Sequence, residues 1–68
     1  MADPIFKKIQ LVGTSHESFS DAAANAIAKA AESLRNMSWF EVVEQRGSIS
    51  EGKIGQYQVT VNIGFRVE

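Results

Sequence analysis

One helix-forming stretch, residues 18–35, constrains the fold of this 68-residue chain more than any other feature. Its apolar residues recur at the i, i+3, i+4, i+7 spacing of one helix face. Ser18 and Asp21 predict a capped start. Arg35 and Asn36 predict the end, since asparagine tolerates the left-handed backbone of a helix stop. The apolar positions are Phe19, Ala22, Ala23, Ala26, Ile27, Ala30, Ala31 and Leu34. Because most of them are small, we predict a helix that packs closely against a sheet.

The remaining sequence predicts three strands. Residues 5–12 alternate loosely between apolar and polar, and residues 39–46 are rich in aromatic and β-branched side chains. Residues 56–68 alternate with period two, and we interpret residues 13–17 as a polar connector and residues 48–55 as containing a turn. The apolar face of the last strand consists of Tyr57, Val59, Val61, Ile63, Phe65 and Val67. The predicted class is therefore α+β with the order β-α-β-β. The second and third strands form an antiparallel hairpin, the first lies beside the third, and the helix crosses the apolar face.

Size and composition limit the classes of function. A chain of 68 residues forms one domain, residues 1–68, with a small core. It has no cysteine, which excludes disulfides and thiolate metal sites, and its net charge of −1 argues against a nucleic-acid binder. The N-terminus lacks an apolar signal segment and no stretch reaches the length of a membrane span, so we expect the protein in the cytoplasm.

The predicted elements also differ in length. The helix would be about 27 Å long and the last strand about 43 Å. One helix would thus leave part of the sheet and its edges uncovered. Since an open edge can pair with another chain, we expect an oligomer.

Groups suited to catalysis are sparse. His16 stands alone in the polar connector, with no partner residue that would make it a metal ligand or a general base. Residues 13–15 could bind an anion at the start of the helix, but they lack the further glycines and the lysine of a phosphate loop. We therefore interpret residues 13–15 as a turn and a helix cap. Glu41 and Glu44 are expected on opposite faces of a regular strand, which does not suit paired acid–base chemistry. We therefore predict that the protein is not an enzyme.

Ligand binding is the alternative that the residues support. Trp39 is the only tryptophan, and Gln58 carries an amide that can both donate and accept a hydrogen bond. Arg46 and Arg66 add positive charge on the same two predicted strands. Together these groups could bind a planar heteroaromatic ring that carries phosphate. The other interpretation of Trp39 is a core or interface anchor, because large aromatic side chains are common at such places.

Short segments spread over the whole chain are similar to one known family. They are Lys7-Lys8, residues 11–15, Ser18-Phe19, residues 34–36, residues 39–44, Arg46-Gly47, residues 57–59 and residues 64–66. In this order the chain resembles the dodecins. These are small flavin-binding proteins in which a three-stranded antiparallel sheet wraps around one helix, and twelve copies form a hollow shell.

The resemblance implies roles for particular residues. Trp39 would stack on a flavin held between neighbouring subunits, and Gln58 would hydrogen-bond the edge of the isoalloxazine ring. Arg46 and Arg66 match positions near the flavin or its phosphate, and Lys29 on the helix is a further candidate for phosphate. The implied ligand is FMN or riboflavin, although the sequence does not choose among riboflavin, lumichrome, FMN and FAD.

The resemblance also implies a function. It is non-enzymatic flavin binding, storage and photoprotection by a cytoplasmic homododecamer. Two alternatives stay open at this point. One is a module that binds coenzyme A or another nucleotide, since bacterial dodecins also bind coenzyme A. The other is a structural oligomer without a ligand.

Overall fold

The structure is a computed structural model that describes residues 3–68. The elements are β1 (Phe6–Ser15), α1 (Phe19–Ala30), β2 (Met37–Ser50) and β3 (Lys53–Arg66). The sheet order is β1-β3-β2, and both pairings are antiparallel. This confirms the predicted β-α-β-β fold with the first strand beside the third. Residues 1 and 2, which belong to the N-terminal segment used in the localisation prediction, lie outside the described residues.

The start of α1 agrees with the predicted cap. Ser18 has an extended backbone, and its hydroxyl accepts a hydrogen bond of 3.0 Å from the backbone N–H of Asp21. The Asp21 carboxylate lies in the first turn, where negative charge stabilises a helix. The serine cap thus fixes where the connector ends and α1 begins.

The predicted end of the helix at Arg35 is wrong by about one turn. α1 ends at Ala30, after which the backbone tightens: Ser33 N–H donates to the Ala30 carbonyl at 3.1 Å. Such i to i−3 bonds are common in the last turn of a helix. Asn36 has the predicted left-handed conformation, with φ of 62°, and it turns the chain from these tight turns into β2.

The first strand extends beyond its predicted end. Residues 13–15 were predicted as part of a connector, but they continue β1, and Gly13 pairs with Val59 of β3. Glycine is required because α1 lies directly over it. A Cβ at this position would overlap the Ala22 carbonyl oxygen and lie 2.8 Å from the Ala26 Cβ. A residue type typical of turns therefore marks a close helix–sheet contact here.

The core lies between the alanine face of α1 and the predicted apolar face of β3. Its buried residues are Ala22, Ala23, Ala26, Ala30, Val59, Val61 and Ile63. Ile9 and Leu11 of β1 pack against this cluster, as the strand alternation predicts. Both the helix periodicity and the period-two pattern are thus confirmed.

Replacing Ala26 with phenylalanine should overpack this contact, because Ala26 is buried where α1 meets Gly13. The expected loss is about 1–3 kcal/mol in the free energy of unfolding. Ala28→Phe is the matched control, since Ala28 is exposed on the same helix. Chemical denaturation of both variants measures the difference. Equal losses would show that both helix faces are covered in the assembled protein.

β2 and β3 form a long hairpin that extends past the helix. They meet at a two-residue turn in which Glu51 and Gly52 both have positive φ, of 52° and 74°. The backbone of such a turn matches the twist of the paired strands. The overall dimensions, 57 × 20 × 13 Å, show how far the hairpin reaches. At its tip Ile49 pairs with Ile54, and both side chains are exposed.

Candidate ligand-binding face

The sheet face opposite α1, here called the outer face, carries the predicted site residues of the strands. It is defined by strand alternation and register, and it includes Phe6, Lys8, Gln10, Trp39, Glu41, Glu44, Arg46, Gln56, Gln58, Thr60, Asn62, Gly64 and Arg66. Trp39, Arg46, Gln58 and Arg66 therefore share one surface. They occupy two separate places on it.

The first place is the tryptophan cluster, which consists of Trp39, Phe6, Gly64 and Arg66. Trp39 pairs with Gly64 across β2 and β3, and its ring covers that glycine so closely that a Cβ there would overlap it. The Phe6 ring meets the indole edge-on, at 5.2 Å between ring centroids and 61° between planes. Arg66 pairs with Phe6 in the β1–β3 register. The indole thus has neighbours on two sides, and Trp39 as a whole remains 40% exposed.

The second place is the glutamine cluster, which consists of Arg46, Gln58 and Gln56. The Arg46 Nε–H donates to the Gln58 Oε1 at 2.7 Å. The Gln58 Nε2 in turn donates to the Gln56 Oε1 at 3.0 Å. Gln56 was not among the predicted site residues. Its place two residues before Gln58, on the same face of a strand, is the sequence signal that could have identified it.

Within one chain these two clusters lie far apart. Gly64 and Gln58 are six positions apart on β3, which corresponds to about 20 Å. One planar ring cannot therefore contact Trp39 and Gln58 of the same chain. The structure places Arg46 beside Gln58, and it places Arg66 at the same end of the sheet as Trp39. Within one chain these two pairs of residues do not meet.

Lys29 lies apart from both clusters. It is on α1, with its side chain 79% exposed, and its Nζ lies 3.3 Å from the Glu32 carboxylate. It borders a hollow that Ile9 and Leu11 also line, on the helix side of the sheet. Lys29 could therefore contact the phosphate of a ligand bound at the outer face only if that phosphate reached the helix side of the sheet.

A polar network crosses the middle of the outer face. Lys8 Nζ lies 2.7 Å from the Glu41 Oε1, and Asn62 Nδ2 donates to the same oxygen at 3.1 Å. The hydrogen bond from Lys8, then that from Asn62, lowers the pKa of Glu41 below its ordinary value. The associated stabilisation is present above the unfolded-state pKa and is lost as pH falls through the lowered folded-state pKa. The Glu41 carboxylate, which is solvent-exposed, thus stays ionised at neutral pH.

The expected separation of Glu41 and Glu44 on opposite faces is wrong. Glu41 is opposite Asn62 and Glu44 is opposite Thr60, with a register shift between Val42 and Glu44. This β-bulge adds one residue to β2 and returns Glu44 to the outer face. His16 is exposed in the connector between β1 and α1, and its Nδ1 lies 3.1 Å from the carbonyl oxygen of Gly55 in β3. Among residues 3–68 no cluster of acidic, histidine or cysteine side chains has the arrangement of a metal site.

On the other side of the sheet, α1 leaves β2 uncovered. A hollow of about 410 Å³ separates the helix from this strand, and an adjoining one of about 250 Å³ shares Ile27 and Phe40 with it. Phe40 and Val42 are 49% and 48% exposed. Large apolar side chains in a continuous exposed surface are typical of an interface between proteins.

Comparison with known proteins identifies the family. A family model for dodecins matches residues 5–68. The chain belongs to the dodecin family. It is 47% identical over 64 residues to the dodecin of Thermus thermophilus, covering 94% of this chain and 93% of that protein. It is 33% identical over 64 residues to the calcium dodecin of Mycobacterium tuberculosis, covering 93% and 89%.

Solved dodecin structures agree with the fold. The dodecin of Streptomyces davaonensis superposes with a TM-score of 0.93 at 40% identity, covering 98% of each chain. The Thermus thermophilus dodecin has also been solved as variants in which a tryptophan became phenylalanine, or an arginine became alanine. Family membership supports a small oligomeric binding protein. No helix within residues 3–68 is long and apolar enough to span a membrane.

Proposed function

We propose that this dodecin binds flavin without catalysing a reaction, and that its homo-oligomer stores the flavin and protects it from light. The observation that carries this proposal is the state of Trp39. Its indole packs against Gly64 and Phe6, while the residue as a whole stays 40% exposed. An exposed aromatic ring that is already packed in place is suited to stacking on a flat ligand, because its side chain loses little conformational freedom on binding.

The separation of the two clusters supports a flavin site between subunits. Since Trp39 and Gln58 of one chain lie about 20 Å apart, a ring stacked on Trp39 meets a glutamine only if a second copy supplies it. The family resemblance implies that a second Trp39, from a neighbouring subunit, stacks on the opposite side, so that a pair of flavins lies between two indoles. The site is therefore incomplete in one chain and forms on assembly.

The chemistry of such a site favours storage. An electron-rich indole in contact with an excited isoalloxazine ring transfers an electron to it rapidly, and the return of that electron to the indole leaves both groups in their ground states. The indole contacts the Phe6 ring and Gly64, and Arg66 pairs with Phe6 in the sheet. None of these is a general base near its working pKa, so the cluster offers binding and quenching.

The exposed apolar surface predicts that the chain assembles with other copies of itself. Phe40 and Val42 beside α1, with Ile49 and Ile54 at the hairpin tip, are all exposed in one chain. We expect them to be covered by other copies, and the family resemblance sets the number at twelve. Sedimentation should therefore show a mass far above the 7.5 kDa of one chain. A stable monomer at micromolar concentration would contradict both the assembly and the shared flavin site.

A phosphate on the ligand should be detectable through its charge. Arg66 at the tryptophan cluster and Arg46 at the glutamine cluster can present paired donors to phosphate oxygens, and Lys29 is the third candidate. Raising the salt concentration should weaken FMN binding more than riboflavin binding, because ions screen the charged group. Titrations at low and high salt measure this. An equal salt dependence would show that no cation contacts the phosphate.

One surface favours a second candidate function, binding of coenzyme A or another nucleotide. Lys7, Arg35 and Arg66, together with the acidic residue Glu68, border a hollow of about 300 Å³ at the end of the sheet. Three cations around one hollow suit a ligand with several phosphates. This candidate is compatible with flavin binding, since the hollow adjoins the tryptophan cluster through Arg66.

Identification of the small molecules released on denaturing the purified protein tests the proposal. We expect a yellow protein that releases FMN or riboflavin. Release of coenzyme A alone would favour the second candidate. A colourless protein that releases no ligand and takes up no added flavin would favour a structural oligomer in which Trp39 is an interface anchor.

A further inference from the structure

We propose that Gln56 is a positioning residue, which fixes the orientation of the Gln58 carboxamide and thereby sets the hydrogen-bonding pattern that a ligand meets. This inference rests on the proposed flavin-binding function and adds to it a residue that does not itself touch the ligand. Gln56 and Gln58 are half-buried neighbours on the outer face of β3, and their contact is between side chains.

The direction of the Gln58 amide follows from the chemistry of its two partners. The Arg46 guanidinium can only donate hydrogen bonds. Its Nε, 2.7 Å away, therefore requires the oxygen of the Gln58 amide on that side. The amide nitrogen then faces Gln56, whose Oε1 accepts from it at 3.0 Å. Either contact alone would hold one end of the amide, whereas the two together fix its plane.

Held in this way, the Gln58 amide keeps one hydrogen-bonding function free on each atom. Its oxygen has a second lone pair, and its nitrogen has a second hydrogen. These form an acceptor and a donor side by side. The complementary ligand is a ring edge with an N–H next to a carbonyl group, which is the chemistry of the pyrimidine end of a flavin. Gln56 thus selects for that edge without contacting it.

Loss of the Gln56 acceptor should release one end of this arrangement. Gln58 would then pivot about its contact with Arg46, and its free donor and acceptor would no longer be aligned for two simultaneous bonds. The expected consequence is a loss of discrimination between ring edges. Stacking on Trp39 should not change, because Gln56 does not belong to the tryptophan cluster.

Gln56→Met tests this, because methionine has a similar length and no acceptor oxygen for the amide. Gln56→Glu is the conservative variant, since a carboxylate still accepts from the Gln58 nitrogen. Gln10→Met is the matched control: Gln10 lies on the same outer face and donates to Asn62 at 3.1 Å, away from the glutamine cluster. Riboflavin and 3-methylriboflavin, in which a methyl group replaces the ring N–H, serve as the two probes.

Wild-type protein should bind riboflavin more tightly than 3-methylriboflavin. Gln56→Met should weaken riboflavin binding by about three- to tenfold, the effect of one hydrogen bond, and leave 3-methylriboflavin binding unchanged. Gln56→Glu should restore the preference, and Gln10→Met should keep it. Unchanged discrimination in Gln56→Met would overturn the inference. Equal weakening of both flavins would do so too, because it would indicate a general structural role.

A measurement without flavin separates this inference from the proposed function. Nitrogen-15 relaxation of the Gln58 carboxamide in the free protein should show a rigid group in wild type and a mobile one in Gln56→Met. If wild type binds neither flavin, the proposed function fails. If the carboxamide is equally mobile in both proteins, the positioning role fails, whatever the flavin titrations show.

Discussion

Replacing Trp39 with alanine is expected to weaken riboflavin binding by about ten- to a hundredfold. Stacking of a base-like ring on an aromatic side chain is worth about 1–3 kcal/mol, and this change removes the whole aromatic surface. Whatever flavin still binds should regain part of its fluorescence, because the quenching indole is gone. Fluorescence titration of wild type and variant measures the affinity and the residual emission together.

Gln58→Ala provides the comparison for this result. It removes hydrogen bonding, worth about 0.5–1.5 kcal/mol, and leaves the indole in place, so binding should weaken modestly while quenching persists. The oligomer size must be checked in each variant by sedimentation. If Trp39→Ala dissociates the assembly and wild type shows no flavin affinity, Trp39 is an interface anchor and the stacking proposal is wrong.

Replacing Gly13 with alanine is expected to destabilise the fold by about 1–3 kcal/mol or more. The added Cβ would overlap a backbone atom, the Ala22 carbonyl oxygen, and approach the Ala26 Cβ to 2.8 Å. A backbone group in a helix cannot rotate away as a side chain can, so α1 would have to move off the sheet. Denaturant unfolding should show a lower midpoint for this variant.

Gly55→Ala is the matched control for Gly13→Ala. A Cβ at Gly55 would lie 2.8 Å from the Ser48 hydroxyl oxygen, the end of a small side chain that can turn aside. Its cost should therefore be clearly smaller. Equal midpoints for Gly13→Ala and wild type would mean that α1 does not pack on β1 at this distance.

The regular patterns in the sequence predicted the regular parts of the fold. The alanine stripe and the alternation in β3 each repeat over many residues, so a few exceptions do not hide them. They correctly placed α1 on the face of Val59, Val61 and Ile63. The Ser18 cap was also predictable, because it depends on residues three positions apart.

The local deviations were not predictable in the same way. Gly13 and Ser15 have the composition of a turn, but they lie in β1, since Gly13 admits the helix and the Ser15 hydroxyl donates to the Asp21 carboxylate at 2.7 Å. These contacts join residues of different elements. The bulge at Val42–Glu44 likewise depends on pairing with β3, which a strand's own sequence does not reveal.

The candidate site was predictable in its residues but not in its arrangement. Trp39 and Gln58 stand out by type, and alternation places both on one face. Their separation on β3 becomes clear only from the register that sets Trp39 opposite Gly64. Gln56 was missed because a polar residue on the outer face of a strand is ordinary until its hydrogen bond to Gln58 is known.

Titration of riboflavin with wild-type protein tests the central proposal most directly, because riboflavin emission reports contact between the ring and an indole. We predict that the fluorescence of added riboflavin is almost abolished until a fixed ratio of flavin to chains is reached, and that it rises linearly beyond that ratio. Emission that rises linearly from the first addition, or bound riboflavin that keeps its full fluorescence, would contradict a flavin stacked on Trp39.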